Sequence, residues 1–180
     1  WPVRGGVEPP SPTSVIRRAF VPRTGQTVSF GDRDDGELQM GVEWPEPRFR
    51  DNQDGTATDE LTGLIWLQNA NCYGQQIWDD ALTSANILGD GQCGLTDGSE
   101  AGDWRLPNVR DLPSRIDYSA AGPALPAGHP FSGVAFGWYW SSSTWLALTD
   151  RARIVSLSVG FVSRMGKSLD THVWPVRGGR

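Results

Sequence analysis

One ten-residue stretch, Asp103-Trp104-Arg105-Leu106-Pro107-Asn108-Val109-Arg110-Asp111-Leu112, constrains this chain most. It reads as a strand end running into a helix start. Asn108 is a favoured cap, and Asp111, three residues later, places an acid where the helix dipole welcomes it. Arg105 stands between Trp104 and Leu106, so its charge needs a carboxylate or backbone carbonyls for company. The stretch predicts a helix from Val109 to about Tyr118. Pro113 lacks a backbone donor, so the start of that helix is expected to be irregular.

A chain of 180 residues is long enough for one domain that buries roughly 70% of its unfolded surface. No run of about 18 apolar residues occurs, so no membrane insertion is expected. The opening Trp1-Pro2-Val3-Arg4 is not a charged leader followed by an apolar core, which fits a processed or excised piece. Charge is distributed unevenly. Residues 141–180 hold six basic against two acidic side chains, a local +4. The overall charge is −5, so the first 140 residues carry −9. An acidic body with a basic tail suits head-to-tail association or an anionic partner.

The two cysteines, Cys72 and Cys93, suit a disulfide in an oxidising compartment, and hence a secreted or cell-surface protein. Two cysteines and two distant histidines, His129 and His172, form no ligand cluster, so no metal is expected. Neither a cofactor nor a nucleic-acid partner is expected.

The hexapeptide Trp1-Pro2-Val3-Arg4-Gly5-Gly6 returns unchanged at 174–179. Two explanations stand side by side. The chain belongs to a tandem array, or the two copies fill equivalent strand slots in neighbouring subunits. Trp1, Pro2, Val3, Arg4, Trp174, Pro175, Val176 and Arg177 are therefore the candidate assembly residues. A Pro-rich, extended linker follows at 7–14. Residues 1–21 form an N-terminal arm and 22–180 the domain proper.

Along that domain, Asp34-Asp35-Gly36 reads as a turn. Phe49 to Asp59 reads as a β-hairpin around Asp54-Gly55. An EF-hand loop there would need an acid at Arg50 and a glutamate at Leu61, so that alternative fails. Leu61 to Leu67 is a buried strand. Trp78, Ala81, Leu82, Ala85 and Leu88 recur at helical spacing, which predicts a helix over 77–88. Strands are expected at 138–143 and 154–159, with residues 160–167 pairing back and a last strand at 172–177. Strands at both ends with two helices between make an α+β domain with a mostly antiparallel twisted sheet. Trp66, Trp78, Trp104 and Trp140 fall on core positions, whereas Trp145 lies outside any pattern and is expected to be exposed.

Several motifs together resemble the bacterial DUF1566 family, the C-terminal domain type of the Legionella collagen-like adhesin. They are Asp54-Gly55-Thr56, Thr62-Gly63-Leu64 with Trp66, Asn69-Ala70-Asn71-Cys72, the Trp78 helix, Asp103 to Asn108, Tyr139-Trp140-Ser141-Ser142 and Val173 to Gly179. The resemblance covers roughly residues 22–180 and implies a C-type-lectin-like fold with neighbouring terminal strands. It also implies tandem copies in surface proteins. Two functions are expected, the first from the repeated hexapeptide, the Pro-rich linker and the split charge, and the second, its alternative, from the resemblance. One is a structural module that assembles with copies of itself through its terminal strands. The other is an adhesin module for anionic glycans, with Trp145, Arg151, Arg153, Arg164, Lys167 and His172 as candidate ligand residues. The Arg-Leu-Pro step is also similar to that of formylglycine-generating enzymes. Chemistry there depends on a reactive cysteine pair near the end of the chain. Here the cysteines lie mid-chain, so no enzyme is expected.

Overall fold

The computed structural model describes residues 21–179. The described residues contain two α-helices, a 3-10 turn and nine strands in two sheets, which makes the domain α+β. The elements are α1 (Asp35–Leu38), β1 (Phe49–Asp51), β2 (Thr56–Asp59), β3 (Leu64–Leu67), β4 (Gln75–Gln76), α2 (Trp78–Asn86), β5 (Trp138–Thr144), β6 (Arg151–Ser156), β7 (Val162–Gly166), β8 (Thr171–His172) and β9 (Val176–Gly178). The first sheet runs β1-β2-β3-β9 and the second β4-β8-β5-β6-β7. All pairs are antiparallel except β5 with β8.

The Asp-Gly hairpin forms with Phe49 opposite Asp59 and Asp51 opposite Ala57. Gly55 takes φ +84° and packs against the Gly94 carbonyl, so a side chain has no room there. The carboxylate of Asp54 accepts from the Thr56 N–H and hydroxyl, and that of Asp51 accepts from the Gln53 N–H. These acids shape the turn. Asp34 begins a single helical turn rather than only a bend: its carboxylate caps α1 by accepting from the Glu37 N–H. The bonds from backbone N–H groups at Phe30, Glu37 and Gly31 hold that carboxyl below its usual range.

The expected helix over 109–118 does not form. The capping box itself does: Asn108 Oδ1 accepts from the Arg110 and Asp111 N–H groups, and Asp111 accepts from the Asn108 N–H. Only a turn and a 3-10 segment, Pro113–Arg115, follow it. Pro113 supplies no donor, and the next residues are pulled inward, with Arg115, Ile116 and Asp117 buried. The strand expected at 154–159 instead ends at Ser156, because Gly160 at φ +76° closes a turn into β7. The last strand is split into β8 and β9. Pro175 has no N–H to pair, and Trp174 turns into the core.

Four indoles and a phenol define the centre. Trp66, Trp104, Trp174 and Tyr139 sit in the larger buried cluster; Trp140 packs with Ala81, Ala85, Ala152 and Ile154 under α2. Arg115 is fully buried between two rings, 3.9 Å from the Trp66 centroid and 3.6 Å from that of Trp174. None of its guanidinium nitrogens has a hydrogen-bond partner among the described residues. Burial pushes its pKa down to about 9, which still leaves it charged at neutral pH.

Candidate functional site

The β5–β6–β7 end of the second sheet carries the most unusual surface chemistry. Alternation along β6 sends Ala152 and Ile154 into the core beneath α2, and Arg151 and Arg153 to the other face. Register then places Arg164 of β7 directly opposite Arg153, and Gly166 opposite Arg151. The loop leaving β5 is held by bonds from the Trp145 N–H to the Arg151 carbonyl (2.9 Å) and from the Leu148 N–H to the Trp145 carbonyl (3.1 Å). That fold-back brings the half-buried Trp145 over the arginines. Its ring centroid lies 4.2 Å from the Arg164 guanidinium carbon and 6.0 Å from that of Arg153.

Arg151, Arg153 and Arg164 take part in none of the ion pairs among the described residues. Asp150, just before β6, is exposed and forms no ion pair with any of them. Like charges directly opposite on neighbouring strands cost roughly 0.2–1 kcal/mol. Exposed cation–π contacts return about 0.5–1 kcal/mol. The patch is thus two guanidinium groups, those of Arg153 and Arg164, over one indole, with Arg151 beside them on β6 and no ion-pair partner for any of the three among the described residues.

Lys167 stands at its rim with a different task. Its ammonium donates to Thr144 Oγ1 (2.9 Å) and lies 3.8 Å from the Trp78 ring, while its carbonyl accepts from the Trp78 N–H. It ties the end of β7 to the start of α2. His172 lies apart on β8, separated from β6 by β5. Its ring packs on Tyr139 at 5.2 Å and contacts Asn71 Oδ1 (3.0 Å) and Gln75 Nε2 (3.2 Å). Burial holds its pKa below the usual value, so it adds no charge to the patch at neutral pH.

Of the repeated hexapeptide, Trp1, Pro2, Val3 and Arg4 lie outside the described residues. The C-terminal copy has a specific place for each residue. Trp174 is fully buried and donates its indole N–H to the Leu67 carbonyl (2.8 Å). The Pro175 carbonyl accepts from the Leu67 N–H. Val176 pairs with Trp66 on one side and exchanges both backbone bonds with Arg105 on the other. Arg177 pairs with Asp97 at 3.0 Å. Gly178 and Gly179 take positive φ, and a side chain at 179 meets Leu64 at 2.4 Å. Arg105 pairs with Asp111 at 2.6 Å and also reaches the Gly178 carbonyl, so it is held by both kinds of partner expected of it.

Cys72 and Cys93 are bonded, with Cα atoms 5.7 Å apart. No group of three or more His, Cys, Asp or Glu is placed to hold a metal among the described residues. No described helix is long and apolar enough to cross a membrane.

Sequence reasoning missed two features: the Arg115 clamp on Trp174, and a cleft around Trp44 described below. Both arise where distant segments meet; local pattern carries no signal for them. What the fold and patch define is a disulfide-bonded α+β domain with a basic, aromatic surface. The chain belongs to the Lcl C-terminal domain family, which it matches over residues 55–177. No curated protein matches it.

Proposed function

We propose that this chain is an extracellular, non-enzymatic recognition module that binds anionic polysaccharide through Arg151, Arg153, Arg164 and Trp145. The observation that carries this reading is Arg153 directly opposite Arg164 with no ion-pair partner for either among the described residues. A sulfate or carboxylate seated between them removes the repulsion and accepts paired N–H bonds from planar guanidinium groups. The Trp145 ring offers stacking surface to the sugar. Family membership and the motifs' resemblance to a C-type-lectin-like fold support recognition rather than chemistry. The disulfide supports secretion or surface display. The test is binding to heparin and to dextran sulfate at 0.05 and 0.5 M NaCl. Salt-sensitive binding that Arg153→Glu with Arg164→Glu abolishes supports the reading; salt-insensitive binding, or binding the double variant retains, overturns it.

The second reading is a structural module that self-assembles through its terminal hexapeptides. It is supported by the close fit of the C-terminal copy to its slot, since an identical hexapeptide suits the same slot in another unit. Deleting residues 1–6 is expected to leave a folded domain that no longer assembles. Assembly unchanged in the truncated protein counts against this reading.

A further inference from the structure

A cleft unrelated to the basic patch runs between residues 43–49 and the loop at 126–129. It has two chambers, of about 220 and about 320 Å³. Trp44, Glu46, Pro126 and Ala127 line both and so mark their junction. The larger chamber alone reaches the lower end of the usual size for small-molecule sites.

The walls are fixed. Trp44 donates its indole N–H to the Arg23 carbonyl (2.9 Å), and the Arg48 guanidinium lies 4.7 Å from its ring centroid. Arg48 is buried and makes a two-pronged pair with Asp59 (2.8 and 2.9 Å) plus a bond to the Ser114 carbonyl. Three side chains lining the cleft keep a buried nitrogen without a hydrogen-bond partner among the described residues: Arg48 Nη1, His129 Nδ1 and Arg23 Nε. Buried polar atoms are almost always satisfied, so three such atoms behind one cleft set its wall apart from ordinary surface.

The chemistry selects the ligand. Both arginines already have acidic partners, Arg48 with Asp59 and Arg23 with Glu43. Glu46 and Asp117 add further negative charge, so sulfated or uronic sugars find no cationic excess. Pro45, Pro47 and Pro126 carry no N–H, so an extended peptide finds no ladder along these walls. What remains is an indole at the junction, carboxylates that accept, and the side-chain amides of Gln26 and Gln39, each with a second N–H to donate beyond its bond to the Tyr118 or Gly36 carbonyl. Sugar hydroxyls both donate and accept, and a ring's C–H face suits an indole. We propose that this cleft binds a neutral oligosaccharide, with one ring against Trp44 and hydroxyls on Glu46 and the neighbouring amides.

The test is titration of the purified chain with unsulfated hexaoses (cello-, malto-, manno- and chitohexaose) by calorimetry, with a proline-rich decapeptide as comparison. At least one hexaose is expected to bind, with affinity unchanged between 0.05 and 0.5 M NaCl. Trp44→Ala is expected to weaken binding at least tenfold. Ala127→Trp fills the junction from an exposed position without opening the core, and is expected to abolish binding while the melting temperature holds. Arg153→Glu with Arg164→Glu is expected to change nothing. Failure of all four hexaoses, binding that Ala127→Trp leaves intact, or tighter binding of the decapeptide than of any hexaose overturns the proposal.

Discussion

Replacing Arg164 by glutamate separates a binding patch from an ordinary basic surface. In the free protein Arg164 faces Arg153 across the β6–β7 ladder. Removing the repulsion returns roughly 0.2–1 kcal/mol, and the new opposite-charge pair adds a similar amount. The lost contact with Trp145, now at 4.2 Å, subtracts about 0.5–1 kcal/mol. The net expectation is a gain of about 0.5 kcal/mol, or roughly 1–2 °C in melting temperature for a domain this size. Calorimetry in 0.05 M NaCl reads that shift, and it is expected to shrink in 0.5 M NaCl as screening rises. Affinity for dextran sulfate is expected to fall at least tenfold in the same protein. A variant that is more stable yet binds worse places the repulsion in the service of binding. A clear loss of stability, with binding unchanged, refutes the reasoning.

Other expectations follow from the interior. Arg115→Met keeps the volume between Trp66 and Trp174 and removes a buried charge that has two ring contacts but no hydrogen-bond partner among the described residues, so chemical denaturation is expected to show equal or higher stability. Arg115→Ala leaves a cavity there and is expected to cost about 2–5 kcal/mol in the same assay. Replacing Cys72 and Cys93 by alanine opens a loop with sequence separation 21 and is expected to cost about 3 kcal/mol by the same denaturation. Burial lowers the pKa of both His129 and His172, so below about pH 6.5 the unfolded chain binds protons first. Stability is therefore expected to fall on acidification below that point, and His172→Gln to flatten part of the fall in denaturation curves between pH 7 and 5.

How far the sequence foretells this structure depends on whether a signal is local. The hairpin at Asp54-Gly55 and the helix carrying Ala81 and Ala85 are local, and both form where turn chemistry and 3.6-residue spacing place them. The Asn108–Asp111 cap is local too, and it forms; the helix beyond it does not, because burial of Arg115 and Ile116 outweighs propensity once Pro113 has removed a donor. Trp145, Arg151, Arg153 and Arg164 were legible as residue types. Their convergence was not, since it depends on strand register, which brings position 164 opposite 153. His172 shows the converse: its type suits a ligand site, but β5 separates it from β6. The cleft at Trp44 joins residues about eighty positions apart and leaves no mark in any window of sequence.

The most direct measurement is the affinity of the intact chain for dextran sulfate at 0.05 and 0.5 M NaCl, beside Arg153→Glu with Arg164→Glu. The account requires binding that falls more than tenfold with salt and is lost in the double variant, which stays folded. Binding of equal strength in both proteins, or in neither, contradicts it.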